Sequence, residues 1–394
     1  MIVKIDKLSH DFRGITRVGD KITFVDDVLP GEVVDISLYK EMKKYNEAKL
    51  KSIINASSNR IKPLCKYADK CGGCTIGYIN YEMQLRYKRE IVIDIINKYA
   101  GIQINPDIIS NYNDYGYRNK ISLKIYNGKL ALMEEESHNF VNIDSCMLVN
   151  DKINDVIKIL NNIDLSGISD VVIKGNTEIM VIINGNIDQN TLIKELSLRV
   201  NSIILNNKVI YGNEYINIKV KNYTYVIYPY SFFQVNTDMI EKLYNKVLEY
   251  AGKGDSFLDL YCGAGTIGIY LSHNFNRVRG IEINSDAVIS ANINKKINGI
   301  NNISFECKKV SDISKINEEV VVVDPPRSGL DKVSTQKLLK SSSKKIVYVS
   351  CNPITLARDI NLLKDKYELI DITLFDMFPN TKHVESVILL QRKD

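Results

Sequence analysis

Phe257-Leu-Asp-Leu-Tyr-Cys-Gly-Ala-Gly-Thr-Ile-Gly268 is the stretch that decides the fold of the C-terminal half of the chain. A short apolar run bounded by turn residues predicts a buried strand, here Phe257–Leu260. The glycines that follow predict a tight loop from strand to helix. Similar runs recur at Val278–Ile283, Ile303–Cys307, Glu319–Val323, Ile346–Val349, Leu369–Phe375 and Ser386–Gln391. Helix-length segments such as 285–297 and 331–340 lie between them. Such alternation from about residue 231 predicts a doubly wound parallel α/β sheet. The last two strands lack a helix-length connection, so a hairpin is expected there.

Working outward, residues 117–228 hold strand-like stretches (Lys120–Tyr126, Asp170–Lys174, Glu178–Ile183, Tyr215–Val220, Tyr223–Tyr228) and an amphipathic helix near 150–161, which predicts an α+β region. Residues 59–79 are loop-like and cysteine-rich. Asn80 can cap a helix running to about Tyr99 and ending at Gly101. In residues 1–58, short alternating segments such as Lys21–Val25 and Glu32–Leu38 are punctuated by Pro30-Gly31, as in a small β-barrel or sandwich, of which oligonucleotide-binding barrels are one class. The expected division is 1–58, 59–230 and 231–394. A chain of 394 residues is too long for one ordinary core.

Composition is that of a globular protein, 45% hydrophobic and 25% charged. Charges in Met1-Ile-Val-Lys-Ile-Asp-Lys7 argue against a signal peptide, and no apolar run reaches membrane-spanning length, so a cytoplasmic protein without membrane contact is expected. Seven cysteines in such a chain argue for metal, cluster or catalytic roles over disulfides. The net charge is +5, but residues 38–66 alone carry eight Lys/Arg against Glu41 and Glu47. Tyr39, Tyr45 and Tyr67 interleave with them. Phosphates attract such charge and exposed bases stack on such rings, which suits RNA; a solvated lysine-rich hairpin is the plainer alternative.

Three strand ends carry chemistry. Gly263, Gly265 and Gly268 formally match a dinucleotide fingerprint, with Glu282 where a ribose-binding acid belongs, so a nicotinamide or flavin enzyme is a rival reading. Asp259, four residues before the first glycine, fits an S-adenosylmethionine loop instead. Asp324-Pro-Pro-Arg327 stops a run of valines abruptly and holds a carboxylate at the crevice, where it can accept from a nucleobase N–H. The residue after the prolines is Arg, not the aromatic of adenine-N6 methylating enzymes, which moves the expected target away from an exocyclic amine. Cys351, in Tyr348-Val-Ser-Cys-Asn-Pro353, follows a third strand; its plain alternative is a small buried hydrophobe.

Together these loops suit methylation of uracil at carbon-5. That carbon is too weak a nucleophile unaided; a thiolate adding at carbon-6 makes it an enolate carbon. A base must then remove the carbon-5 proton so that the thiolate can leave. Cys351 is the candidate nucleophile. Glu385, in Phe378-Pro-Asn-Thr-Lys-His-Val-Glu385, is the candidate base, with His383 as its rival.

These residues resemble the RNA uracil-C5 methyltransferases of the RumA/TrmA type. The resemblance runs through Ser231-Phe-Phe-Gln-Val-Asn236, Asp259-Leu-Tyr-Cys-Gly-Ala-Gly265, Asp324-Pro-Pro-Arg327, Ser350-Cys-Asn-Pro353 and Phe378–Glu385. It implies a class I methyltransferase domain with S-adenosylmethionine contacts at Gln234, Tyr261, Glu282 and Asp324, Cys351 as nucleophile and Glu385 as base. Arg13-Gly-Ile-Thr-Arg17 and Leu29-Pro-Gly-Glu-Val33 resemble a TRAM domain, an RNA-binding β-barrel, and the resemblance also implies that the helix near 80–100 packs on the C-terminal domain rather than the middle one. The implied product is 5-methyluridine in 23S ribosomal RNA, with the T-loop of transfer RNA as the alternative, made by a monomeric enzyme. A non-catalytic RNA-binding protein with a relic methyltransferase fold is a further alternative, against which the intact Cys351 and Glu385 speak. Cys65, Cys71, Cys74 and the remote Cys146 could hold zinc or an iron–sulfur cluster on spacing alone. The resemblance implies [4Fe-4S]. Cys262 and Cys307 are expected to be packing residues.

Overall fold

The computed structural model describes residues 1–134 and 139–393. Its C-terminal half carries an eight-stranded sheet in the order Ile303–Cys307, Phe275–Glu282, Gly254–Leu260, Val320–Val323, Lys345–Ser350, Glu385–Arg392, Tyr367–Phe375, Asp107–Ile109. The first five strands are parallel, and Val320–Val323 is buried at every position, as expected of strands covered on both faces. Strand order reverses between Gly254–Leu260 and Val320–Val323, which opens a crevice at their carboxyl ends. The expected terminal hairpin is present: Glu385–Arg392 runs antiparallel between Lys345–Ser350 and Tyr367–Phe375.

The eighth strand is a surprise in sequence terms. Asp107–Ile109 precedes the whole middle region, yet it pairs in parallel with Thr373–Phe375. The helix Tyr81–Ala100 accompanies it and packs against the helix Pro353–Leu363. The Asn80 side chain caps this helix by accepting from the Met83 N–H at 3.0 Å, and Gly101 ends it with φ at 73°. Lys88, on its inner face, is fully buried and bonds Asp376 at 2.5 Å and the Phe378 carbonyl at 3.1 Å.

The middle region is a seven-stranded sheet covered by the helices Asp151–Leu160 and Gln189–Leu196, followed by the hairpin Ile216–Val220/Tyr223–Ile227. At the N-terminus, six short strands form one sheet whose two edges, Ile2–Lys4 and Lys7–Leu8, belong to one continuous segment. The sheet must therefore curl round to meet itself. Bonds from Asp6 N–H to the Ile15 carbonyl (2.9 Å) and from Thr16 Oγ1 to the Lys4 carbonyl (2.8 Å) mark the seam. Glu32 is buried beneath it; burial would raise its pKa, but bonds from Arg60, Ser57 and Leu29 hold it below the usual range. Leu8, Phe12 and Leu29 of this unit join one apolar core with Ile76, Ile91 and Val92. Among the described residues, no helix is long and apolar enough to cross a membrane.

Candidate active site

The crevice begins where Gly254–Leu260 ends. Tyr261, Gly263 and Gly265 all have positive φ (64°, 51° and 76°), so the chain turns tightly into the helix Thr266–Leu271. Gly265 is required for space as well, because a Cβ there would lie 2.5 Å from the Phe305 ring. Asp259, fully buried, accepts from the Gly268 N–H at 2.9 Å through one oxygen. Its other oxygen has no partner among the described residues, and burial pushes the carboxyl up to about 8. Glu282, at the end of the neighbouring strand, is held by the N–H groups of Gly263 (3.1 Å) and Asn284 (2.8 Å).

Two adjoining cavities occupy the crevice. The larger, about 610 Å³, has Glu282, Gly263, Tyr230 and Phe232 in its walls. The smaller, about 90 Å³, is lined by Gln234, Tyr261, Asp259 and Asp324. The four residues expected at the cofactor thus border one continuous crevice. Asp324 sits partly open to it, yet desolvation lifts its carboxyl to about 7.

Cys351 and Glu385 meet through strand register. Ser350 pairs with Ser386 across the antiparallel ladder, so the residue after the one and the residue before the other leave the sheet at the same end. Glu385 is buried, and burial followed by the charge of Asp324 raises its pKa well above the carboxylate range, with Arg327 opposing. Burial, then Glu385, pushes the Cys351 thiol up to about 11; Arg327 again pulls the other way. The two strand-end loops are tied together by Asn352 Nδ2 and Thr355 Oγ1, which donate to the Arg327 carbonyl at 3.1 and 3.2 Å. His383 is held down at about 4 by burial and by the charges of Arg327 and Lys382, so it is a neutral imidazole at pH 7.

Cys351 opens on a second cleft of about 240 Å³. Its far wall comes from the N-terminal unit (His10, Phe12), its side from Ile91 and Ile95, and its rim from Arg327, Lys382 and His383. An apolar wall with a cationic rim suits a base whose backbone phosphates stay outside.

Cys65, Cys71, Cys74 and Cys146 line one pocket of about 70 Å³. Burial, then the neighbouring thiols, pushes Cys74 up to about 12. Cys146 is raised by burial, against N–H groups of Leu148 and Val149 that bond its sulfur and Arg118 nearby. As they stand, no group of three or more His, Cys, Asp or Glu among the described residues could hold a single metal ion. Cys262 is buried as expected, but Cys307 is exposed, with its thiol 3.5 Å from the Ile283 carbonyl; the last residue of an edge strand has no second neighbour to cover it.

Three residues of the site's surroundings carry no sequence signal. Lys88 fixes the Phe378 end of the loop leading to Glu385. Lys174 and Asn119, from the middle sheet, bond the backbone of residues 228–235 beside the cofactor crevice. Each lies in an unremarkable stretch, and only the tertiary fold gives it a partner.

The family model for tRNA (Uracil-5-)-methyltransferase matches residues 186–311 and 304–393. A Clostridium tetani protein named as an uncharacterized RNA methyltransferase is 34% identical, covering 96% of this chain and 93% of its own. A Staphylococcus aureus protein of the same description is 32% identical, over 98% and 96% respectively. Among solved structures, the tRNA (uracil-54, C5)-methyltransferase of Pyrococcus abyssi in complex with S-adenosyl-L-homocysteine matches with a TM-score of 0.83 and 28% identity, covering 99% of this chain and all of that one.

Proposed function

The chain belongs to the tRNA (uracil-5-)-methyltransferase family and is an S-adenosylmethionine-dependent RNA (uracil-C5)-methyltransferase, and from that premise we propose that Cys351 is its nucleophile and Glu385 its base. The observation that carries this reading is the Ser350–Ser386 register, which brings Cys351 and Glu385 to the same end of the paired strands, where Glu385 acts electrostatically on a thiol that lines the second cleft. When bound, S-adenosylmethionine supplies an electrophilic methyl group on a cationic sulfur. The unpartnered oxygen of Asp259 and the raised carboxyls of Asp324 and Glu385 form an acidic surplus that such a cation relieves. Gln234, Tyr261, Glu282 and Asp324 line the crevice and are assigned to hold the cofactor.

The chemistry proceeds in balanced steps. The Cys351 thiolate adds to carbon-6 of uracil, and the electron pair of the 5,6 double bond moves toward carbon-5 and the carbonyl oxygen. Carbon-5 would receive the methyl group that bound S-adenosylmethionine supplies, the methyl–sulfur bonding pair staying on sulfur as a neutral thioether. Glu385 must first give up to solvent the proton that its raised pKa retains; as carboxylate it then takes the remaining carbon-5 proton, and its environment makes it a stronger base than an ordinary carboxylate. The double bond re-forms and the thiolate leaves. His383, kept neutral, remains beside them as a hydrogen-bonding group.

The proposed RNA is 23S ribosomal RNA, with the transfer-RNA T-loop as a second reading that the Pyrococcus abyssi match favours. The curled N-terminal sheet is proposed as a TRAM barrel contacting that RNA, and the enzyme as a cytoplasmic monomer. For the four cysteines the proposed group is [4Fe-4S]. Cys65, Cys71, Cys74 and Cys146 line one pocket, and four thiolates are the ligand set that such a cluster takes. The N–H bonds to Cys146 are of the kind that stabilise a ligating thiolate.

The test uses 23S and transfer RNA containing 5-fluorouridine, whose carbon-5 fluorine blocks the final elimination. A covalent adduct with one RNA, lost in Cys351→Ala, is expected. Absence of both adduct and methylation with either RNA refutes the reading. For the cluster, anaerobic protein should show charge-transfer absorption and iron; stoichiometric zinc without that absorption would overturn it.

A further inference from the structure

Lys174 ends its strand nearly fully buried, a position where lysine is rare unless paired with a carboxylate. Its Nζ instead donates to three backbone carbonyls, those of Tyr228 (2.6 Å), Pro229 (2.8 Å) and Ser231 (3.4 Å). All three belong to the turn that leads into Phe232-Phe-Gln234. Tyr230, Ser231 and Phe232 wall the larger cofactor cavity, and Gln234 the smaller. Asn119, also buried, grips the far end of the same segment: its Nδ2 donates to the Gln234 carbonyl (2.9 Å) and Thr237 Oγ1 (2.8 Å), and its N–H to the Val235 carbonyl (2.8 Å).

The two grips are one device. Asn119 immediately precedes the strand Lys120–Tyr126, whose Lys120 pairs with Lys174, and the Gly175 N–H donates to the Asn119 carbonyl at 2.7 Å. A rigid corner of the middle sheet therefore holds both ends of residues 228–237. A buried ammonium is costly, and a hydrophobe of similar size would fill the space more cheaply if packing were the only requirement. Three carbonyls converge on this one amine, which burial pulls down to about 7, and they tie a turn whose cofactor side, at Tyr230 and Phe232, is open to solvent.

We propose that Lys174, with Asn119, is a positioning residue of the methyltransferase: it holds the 228–237 segment in the shape that receives S-adenosylmethionine. This rests on the crevice being the cofactor site. Neither residue touches the reacting atoms, so their loss acts on cofactor binding and leaves turnover at saturation nearly intact.

The experiment measures S-adenosylhomocysteine affinity by calorimetry, and kcat and KM for S-adenosylmethionine, in full-length wild type, Lys174→Met and Asn119→Ala. Expected are KM and Kd raised by roughly tenfold or more in each folded variant, equivalent to about 1.4 kcal/mol, with kcat at saturating cofactor and KM for RNA close to wild type. Should Lys174→Met fail to fold, Asn119→Ala, which removes only side-chain bonds, decides the question. Unchanged cofactor KM and Kd overturn the proposal, as does a fall in kcat with KM unaltered. Failure of the wild type itself to bind S-adenosylhomocysteine would instead refute the cofactor site.

Discussion

Cys351 and Glu385 share a problem of charge: two acids packed side by side, each made weaker by burial and by neighbouring negative charge. Because the thiol's pKa lies above its ordinary value, the reactive thiolate is scarce at neutral pH and grows as pH rises toward about 11. In ligand-free protein, alkylation of Cys351 by iodoacetamide, followed on its own peptide by mass spectrometry, should keep accelerating above pH 9. Arg327→Met should shift that profile further upward, since Arg327 is the charge that favours the thiolate. A plateau near the value of a free thiol would contradict these surroundings. At this scale the sequence was informative where a residue sits at a strand end with reactive chemistry, as Cys351, Asp324 and Glu385 do. It was silent on Lys174 and Asn119, whose partners are backbone carbonyls that no side-chain pattern encodes.

Elements of the C-terminal sheet were readable because parallel strands buried on both faces are nearly continuous apolar runs; Val320–Val323 and Lys345–Ser350 are examples. Strands such as Asp107–Ile109, Phe140–Asn142 and Lys208–Gly212 were missed, because none of their residues is fully buried and none forms a continuous apolar run. Asp107–Ile109 has no local partner at all, and its existence depends on Thr373–Phe375. The helix Tyr81–Ala100 was visible from its Asn80 cap and Gly101 stop, but the purpose of its buried Lys88 was not. Lys88→Ala should destabilise the protein by about 3–5 kcal/mol, because it strands the Asp376 carboxylate in the interior. The double variant Lys88→Met/Asp376→Leu should recover most of that loss in thermal unfolding. Equal loss in both would mean that shape, and not the unpaired charge, sets the cost.

Across the whole molecule, the site is assembled from three separated stretches of chain: the N-terminal unit and the helix Tyr81–Ala100 wall the Cys351 cleft, while the middle sheet braces the cofactor crevice. Substituting Lys40, Lys43 and Lys44 by Glu at the tip of the N-terminal unit should weaken RNA binding while leaving S-adenosylhomocysteine affinity unchanged. The slope of log affinity against log salt should fall by about 0.7–0.9 for each RNA phosphate that these lysines neutralise in the wild type. An unaltered slope would return that hairpin to a solvated surface. The division into folding units was only partly readable, because composition runs along the chain while packing crosses it. That crossing has a consequence during synthesis. Lys88 meets Asp376 288 residues downstream, so at 5–20 residues per second the emerging helix waits roughly 15–60 s for its partner. The middle sheet, whose strands pair only with one another, can form meanwhile. The apolar face bearing Ile91, Val92 and Ile96 has only Leu8, Phe12, Leu29 and Ile76 to pack on at first, and lacks Leu356, Ile360 and Leu374 until the C-terminal sheet is made. On the ribosome this helix therefore keeps apolar surface for a chaperone to cover until the stretch around Asp376 emerges.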